Sequence, residues 1–128
     1  MKIAIVGYRN YTDYERFCFI MKEFNVKNAS MIISGGAPGI DSLAERWALE
    51  NGFRKRIDPN EIIEKELLIY PAEWNKYGKA AGPIRNKFIV DKMDIMIAIP
   101  SPTSTGTYNS ISLAKQAGKT CYIVSNFK

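Results

Sequence analysis

Short apolar bursts alternate with longer amphipathic stretches along the chain, and the bursts are too brief to be helices. Lys2-Ile3-Ala4-Ile5-Val6, ending at Gly7, reads as a buried strand. Thr12 and Glu15 then fit a capping box, and Phe17, Ile20, Met21 and Phe24 follow at helical spacing. A second burst, Met31 to Ile33, runs into Ser34-Gly35-Gly36. Beyond that turn Ile40, Leu43, Ala44, Trp47 and Ala48 trace one helix face, and Gly52 stops it. Leu67 to Tyr70 predicts a third strand, closed by Pro71. The stretch "PAEWNKYGKAAGP" predicts an aromatic, glycine-rich loop before a helix over 84–93. Ile95 to Ile99 is the fourth strand, and a polar loop leads to a helix over 108–117 with Gly118 as its cap. Thr120 to Val124 is the fifth.

Five apolar strands separated mostly by helices mean βαβ units. The expected fold is α/β, a Rossmann-like three-layer sandwich with a five-stranded, mostly parallel sheet in the order 3-2-1-4-5. One domain over 1–128 is expected, because no repeat or linker interrupts the pattern. Residues 53 to 66 break the rhythm with a charged stretch around Asp58-Pro59-Asn60, and a helical turn is expected over 60–66.

Composition narrows the chemistry. With 46% hydrophobic and 24% charged residues, the 128-residue chain has the make-up of a globular domain. No apolar run reaches the ~18 residues of a membrane span, and no segment reads as a signal peptide, so a cytoplasmic location and no membrane partner are expected. Cys18 and Cys121 read as reduced core thiols. The chain has no histidine, which excludes a Ser-His-Asp triad and the commonest zinc sites, and no metal or cofactor is expected. Net charge is +5, without a long basic run; the densest cluster, Arg54-Lys55-Arg56, is followed by Glu61, Glu64 and Glu66 and reads as solvated surface.

Ligands of open parallel sheets bind at the carboxyl ends of the strands, and the unusual residues collect there. Gly7-Tyr8-Arg9 follows strand one, Ser34-Gly35-Gly36 strand two, and the loop 100–107 strand four. The glycines up to Gly39 allow close backbone approach, and the helix after them aims free amides at a phosphate. This is neither a P-loop nor GxGxxG. Asp41 either accepts hydrogen bonds from ribose hydroxyls or simply compensates the helix dipole. Arg85, expected in a first helical turn where the dipole disfavours cations, suits a bound anion, with Asn86 beside it. Ser104, Thr105, Gly106 and Thr107 read either as a second phosphate cradle or as an ordinary N-cap. Trp74 and Tyr77 either stack on a base or pin their loop to the core.

In combination, Gly7-Tyr8-Arg9, "SGGAPGID" with "LAERWA", "YPAEW", "YGKAAGPIRN" and "GTYNSI" resemble the motifs of the bacterial and phage YspA/YpsA-related proteins. Those belong to the SLOG superfamily, together with the LOG and DNA-processing DprA proteins. The resemblance runs from residue 1 to about 124 and leaves 54–66 as a charged insertion. It implies ligand-binding roles for Gly7, Arg9, Ser34, Gly35, Gly36, Gly39, Asp41, Arg85, Asn86, Gly106 and Thr107, with Tyr8 where a serine is common. LOG enzymes, which release a base from a nucleoside monophosphate, carry a glutamate where this chain has Ser110. The expected function is therefore binding of a nucleotide-derived small molecule, for sensing or sequestration in phage–host nucleotide signalling, by a homo-oligomer. The first alternative is a nucleotide N-glycosidase or deoxyribosyltransferase-like enzyme using another carboxylate, with Asp41 the candidate catalytic group. The second is DprA-like nucleic-acid binding, suggested by the net charge.

Overall fold

The computed structural model describes residues 1–125. Strands β1 (Lys2–Gly7), β2 (Met31–Ser34), β3 (Glu66–Ile69), β4 (Ile95–Ile99) and β5 (Thr120–Ile123) form one sheet in the order β3-β2-β1-β4-β5. Every neighbouring pair is parallel, with Ile5 opposite Ile97 and Ile33 opposite Leu68. Helices α1 (Tyr14–Glu23), α2 (Ile40–Glu50), α4 (Ala81–Lys92) and α5 (Thr105–Gln116) cover the sheet, and α3 (Trp74–Tyr77) is a single turn.

Alternation along the central strands separates two cores. Ile3, Ile5, Ile32 and Ile97 pack with Phe17, Ile20, Ala44 and Trp47, on the side of α1 and α2. Ala4, Val6, Ile33 and Met96 pack with Ile89, Val90, Ile111 and Ala114, on the side of α4 and α5. Both faces of β1, β2 and β4 are thus buried, which is why those strands are nearly continuous in apolar residues. The three layers and strand order are those the apolar pattern predicts.

The differences lie at element ends. Asp13, not Thr12, caps α1: its carboxylate accepts the Arg16 amide at 3.1 Å. The aromatic loop contains α3, and α4 begins at Ala81, three residues earlier than expected, taking Gly82-Pro83 into its first turn. Proline is tolerated there because a first-turn amide has no intrahelical acceptor. Helix α5 likewise starts earlier than expected, at Thr105, and absorbs the Gly106-Thr107 turn. The stretch 60–66 holds no helical turn. Arg54 pairs with Glu61 at 3.1 Å and Arg56 with Glu66 at 3.0 Å, while the Glu61 carboxylate accepts the Ile57 amide at 2.6 Å. These contacts fold the segment back on itself, and Arg54 forms a bridge to Glu66 beside β3. Cys18 and Cys121 are free and only half-buried, packed against opposite cores instead of lying within one. No helix among the described residues is long and apolar enough to cross a membrane.

Candidate functional site

The chain leaves β1 toward β2 on one side and returns through β4 on the other, so the loops after β1 and β4 diverge. A cleft of about 370 Å³ opens between them. Its walls come from the β1 loop (Gly7, Tyr8, Arg9), the glycine turn (Gly35) and the start of α2 (Asp41). The other side is Arg85 and Asn86 from α4, with Ser104, Thr105, Gly106, Thr107 and Ser110 from the α5 start.

Arg85 reaches across from α4. Its guanidinium donates from Nη1 to the Gly35 carbonyl and from Nε to Asn86 Oδ1 at 2.8 Å. Asn86, itself buried, turns its Nδ2 to the Gly106 carbonyl at 3.3 Å and Asn109 Oδ1 at 3.0 Å. This chain of bonds ties α4 to the first turn of α5 and fixes the plane of the guanidinium. Since α4 starts early, Arg85 lies in its second turn, and no dipole penalty is needed to explain it. Burial pulls its pKa down, Asp41 opposes that, and Arg9 adds to it. Two guanidinium groups thus share one polar cleft, and exposed Arg9 provides the second.

Asp41 is buried, and its Oδ2 accepts the Ala37 amide at 3.2 Å. Its carboxyl is pushed up to about 6, chiefly by burial; the Ala37 hydrogen bond and Arg85 counter that, while Glu45 adds to it. Asp41 is the only carboxylate lining the cleft among the described residues. At the opposite wall, the first turn of α5 presents its amide end and Gly106, whose α-carbon faces open space. Ser110 is buried, its hydroxyl donating to the Gly106 carbonyl at 3.3 Å.

Five of the residues singled out by the sequence do not line the cleft: Ser34, Gly36, Gly39, Trp74 and Tyr77. Ser34 is buried beneath it and donates to Glu45 Oε2 at 2.6 Å while accepting the Gly36 amide at 3.2 Å. Gly36 has φ +71°, and a β-carbon there would face Ile69 and Pro71, away from the cleft. Gly39 has φ +77°, and a β-carbon would lie 2.4 Å from both the Tyr8 and Arg9 carbonyl oxygens. The glycine turn is thus built for left-handed backbone and for packing against the β1 loop. Gly35 alone clears room at the cleft itself, where a β-carbon would lie 2.6 Å from Arg85 Nη1. Glu45 was not read as part of the site, because a glutamate on a helix carries no local sign of its tertiary partner Ser34.

The Arg54-Lys55-Arg56 cluster is not part of the cleft, and Arg54 and Arg56 are paired with glutamates.

The chain's first 57 residues match the family of DNA recombination-mediator protein A. That stretch carries β1, the β1 loop, the glycine turn and α2. Over 92 residues, 69% of this chain and 66% of its relative, the sequence is 33% identical to the Gene 61 protein of Mycobacterium phage D29. The fold resembles that of DNA processing protein A from Helicobacter pylori, which binds single-stranded DNA. That likeness has a TM-score of 0.69 at 23% identity and covers 98% of this chain and 66% of that one. The same protein from Streptococcus pneumoniae gives 0.70 at 22% identity, covering 98% and 50%. At such identities the structural likeness is one of fold, and the chain spans about half to two-thirds of these relatives. The family model and both solved structures are of DNA-processing proteins.

Proposed function

We propose that this chain binds single-stranded nucleic acid, with a backbone phosphate held in the cleft between Arg9, Arg85 and the first turn of α5. The observation that carries the reading is the convergence of two guanidinium groups and a helix amino terminus on one polar cleft at the strand switch. Guanidinium groups and helix amides are the donors that phosphate oxygens take best. The Helicobacter pylori relative's single-stranded DNA binding supports this occupant over the isolated nucleotide that the motifs alone suggest. Kinship with the YspA-related proteins is carried by the motifs.

Fluorescence anisotropy with a labelled oligothymidylate and its duplex, over a salt series, tests the reading. Single strand is expected to bind more tightly than duplex, with affinity falling as salt rises. Arg9 is exposed, so Arg9→Ala should leave thermal unfolding unchanged. It should weaken binding by ~1.5–3 kcal/mol and flatten the salt slope by ~0.7. Equal binding by the Arg9→Ala variant would sink the proposal.

A second reading, capture of a free nucleotide-derived ligand, is favoured by one feature: a cleft of about 370 Å³ lies in the size range of small-molecule sites. Displacement of the strand by micromolar mononucleotide would support it.

A further inference from the structure

A second hollow, of about 340 Å³, lies on the other side of Arg85 and differs in character from the first. Its walls include Tyr70, Tyr77, Phe88, Ile84 and Pro71, and Glu73 is the carboxylate among its lining residues. Arg85 lines both hollows. Tyr70 and Phe88 stack with ring centroids 6.1 Å apart and planes 19° from parallel. Phe88 is 57% and Tyr77 40% exposed, so both rings present apolar surface to the hollow. Trp74, the other exposed ring nearby, has a packing role: its Cη2 would lie 3.3 Å from a β-carbon at Gly82, so it pins α3 onto α4. Phe88 packs on Tyr70, and Tyr77 lines the same hollow.

We infer that this aromatic hollow is a base-stacking subsite, taking the nucleobase next to the phosphate held in the cleft. The inference rests on the phosphate reading above. Three observations point to a base and not to a second phosphate. The walls are aromatic and aliphatic, and every base has a π-face to lay on such a wall. Glu73 in the lining repels an anion but accepts hydrogen bonds from a base. Arg85 lines both the polar cleft and the hollow, so a strand whose phosphate meets that guanidinium has its neighbouring base within reach of the aromatic wall. Lys76, whose Nζ lies 5.0 Å from the Tyr77 ring centroid, places a cation at the same rim for the onward backbone.

The test uses the full chain and two strands of equal length, oligothymidylate and an abasic strand with the same phosphates. Tyr77→Ala and Phe88→Ala, each checked for unchanged thermal unfolding, should weaken oligothymidylate binding by roughly tenfold. Their affinity for the abasic strand should match the wild type. Equal oligothymidylate affinities would overturn the subsite and leave the phosphate cleft standing. Parallel losses on both strands would overturn it too, by making the rings structural. Should sedimentation show these variants shifting an oligomer to a monomer with strand affinity intact, the hollow is a contact between copies and the inference fails. The phosphate reading fails separately if Arg9→Ala leaves abasic-strand affinity unchanged.

Discussion

Burial sets the behaviour of Asp41, whose carboxyl, at about 6, stands above its ordinary 3.8. The folded state therefore prefers the protonated acid, so the direction of linkage is opposite to that of an ion-paired aspartate. Between about pH 4 and pH 6 the native chain binds more protons than the unfolded one, and stability falls as pH rises through that window. The cost, up to about 3 kcal/mol, is absent below it and fully present at neutral pH. Asp41→Asn should accordingly stabilise the protein at pH 7 in urea unfolding, an advantage that shrinks toward pH 4. An asparagine carbonyl can still accept the Ala37 amide. A phosphodiester does not titrate in this window, whereas ionised Asp41 repels it. Strand affinity should rise several-fold as pH drops through about 6, and Asp41→Asn should flatten the profile. A flat wild-type profile would place the bound phosphate away from Asp41.

Helix α4 positions both Arg85 and Asn86, so its hold on the sheet matters more than its propensity. Its carboxyl end is closed by Lys119, whose Nζ donates to the carbonyls of Val90 at 2.6 Å, Asp91 at 3.1 Å and Met93 at 2.8 Å. A cation on those last carbonyls also complements the helix dipole. Lys119→Met keeps the aliphatic stem and removes the donors. A loss of ~1–3 kcal/mol in denaturant unfolding is expected, with strand affinity little changed in the folded protein. No change in the unfolding midpoint would mean that water satisfies those carbonyls equally well. The sequence shows Lys119 only as a charge after Gly118, because a cap supplied from 26 to 29 residues away leaves no local pattern. Elements were legible wherever burial was two-sided, as in β1 and β4, or one-sided at helical spacing, as in α2. The starts of α4 and α5 were not, since Gly82-Pro83 and Gly106-Thr107 look like turns in sequence, whereas both lie in first helical turns and the Gly106 carbonyl is held by Asn86 from α4. The loops of the site were legible for the same reason that the strand order was: a parallel sheet collects its βα loops at one rim. Which glycine faces the cleft was not, because Gly35, Gly36 and Gly39 differ only in φ and in what a β-carbon would strike.

For the molecule as a whole, holding a strand and cutting a glycosidic bond demand different sets of groups at the same rim. Binding needs cations, amides and flat apolar walls, all supplied by the cleft and the neighbouring hollow. Hydrolysis also needs a carboxyl placed to stabilise an oxocarbenium-like centre or to activate water. The position that resembles the LOG glutamate is Ser110, whose hydroxyl is turned back to the Gly106 carbonyl. That leaves Asp41, and its environment argues in both directions. A carboxyl at about 6 is near the range of a general acid, but Asp41 is buried and its Oδ2 is held by the Ala37 amide. Catalytic geometry tolerates only ~0.5 Å of error, and no second carboxylate lines the cleft among the described residues to share the acid and base roles. Incubation with a panel of nucleoside and deoxynucleoside monophosphates, read by chromatography for free base, should therefore show no release above the uncatalysed rate. Turnover that disappears in Asp41→Asn, while strand binding persists, would instead make Asp41 the catalytic carboxylate and turn the arginine cleft into a substrate site.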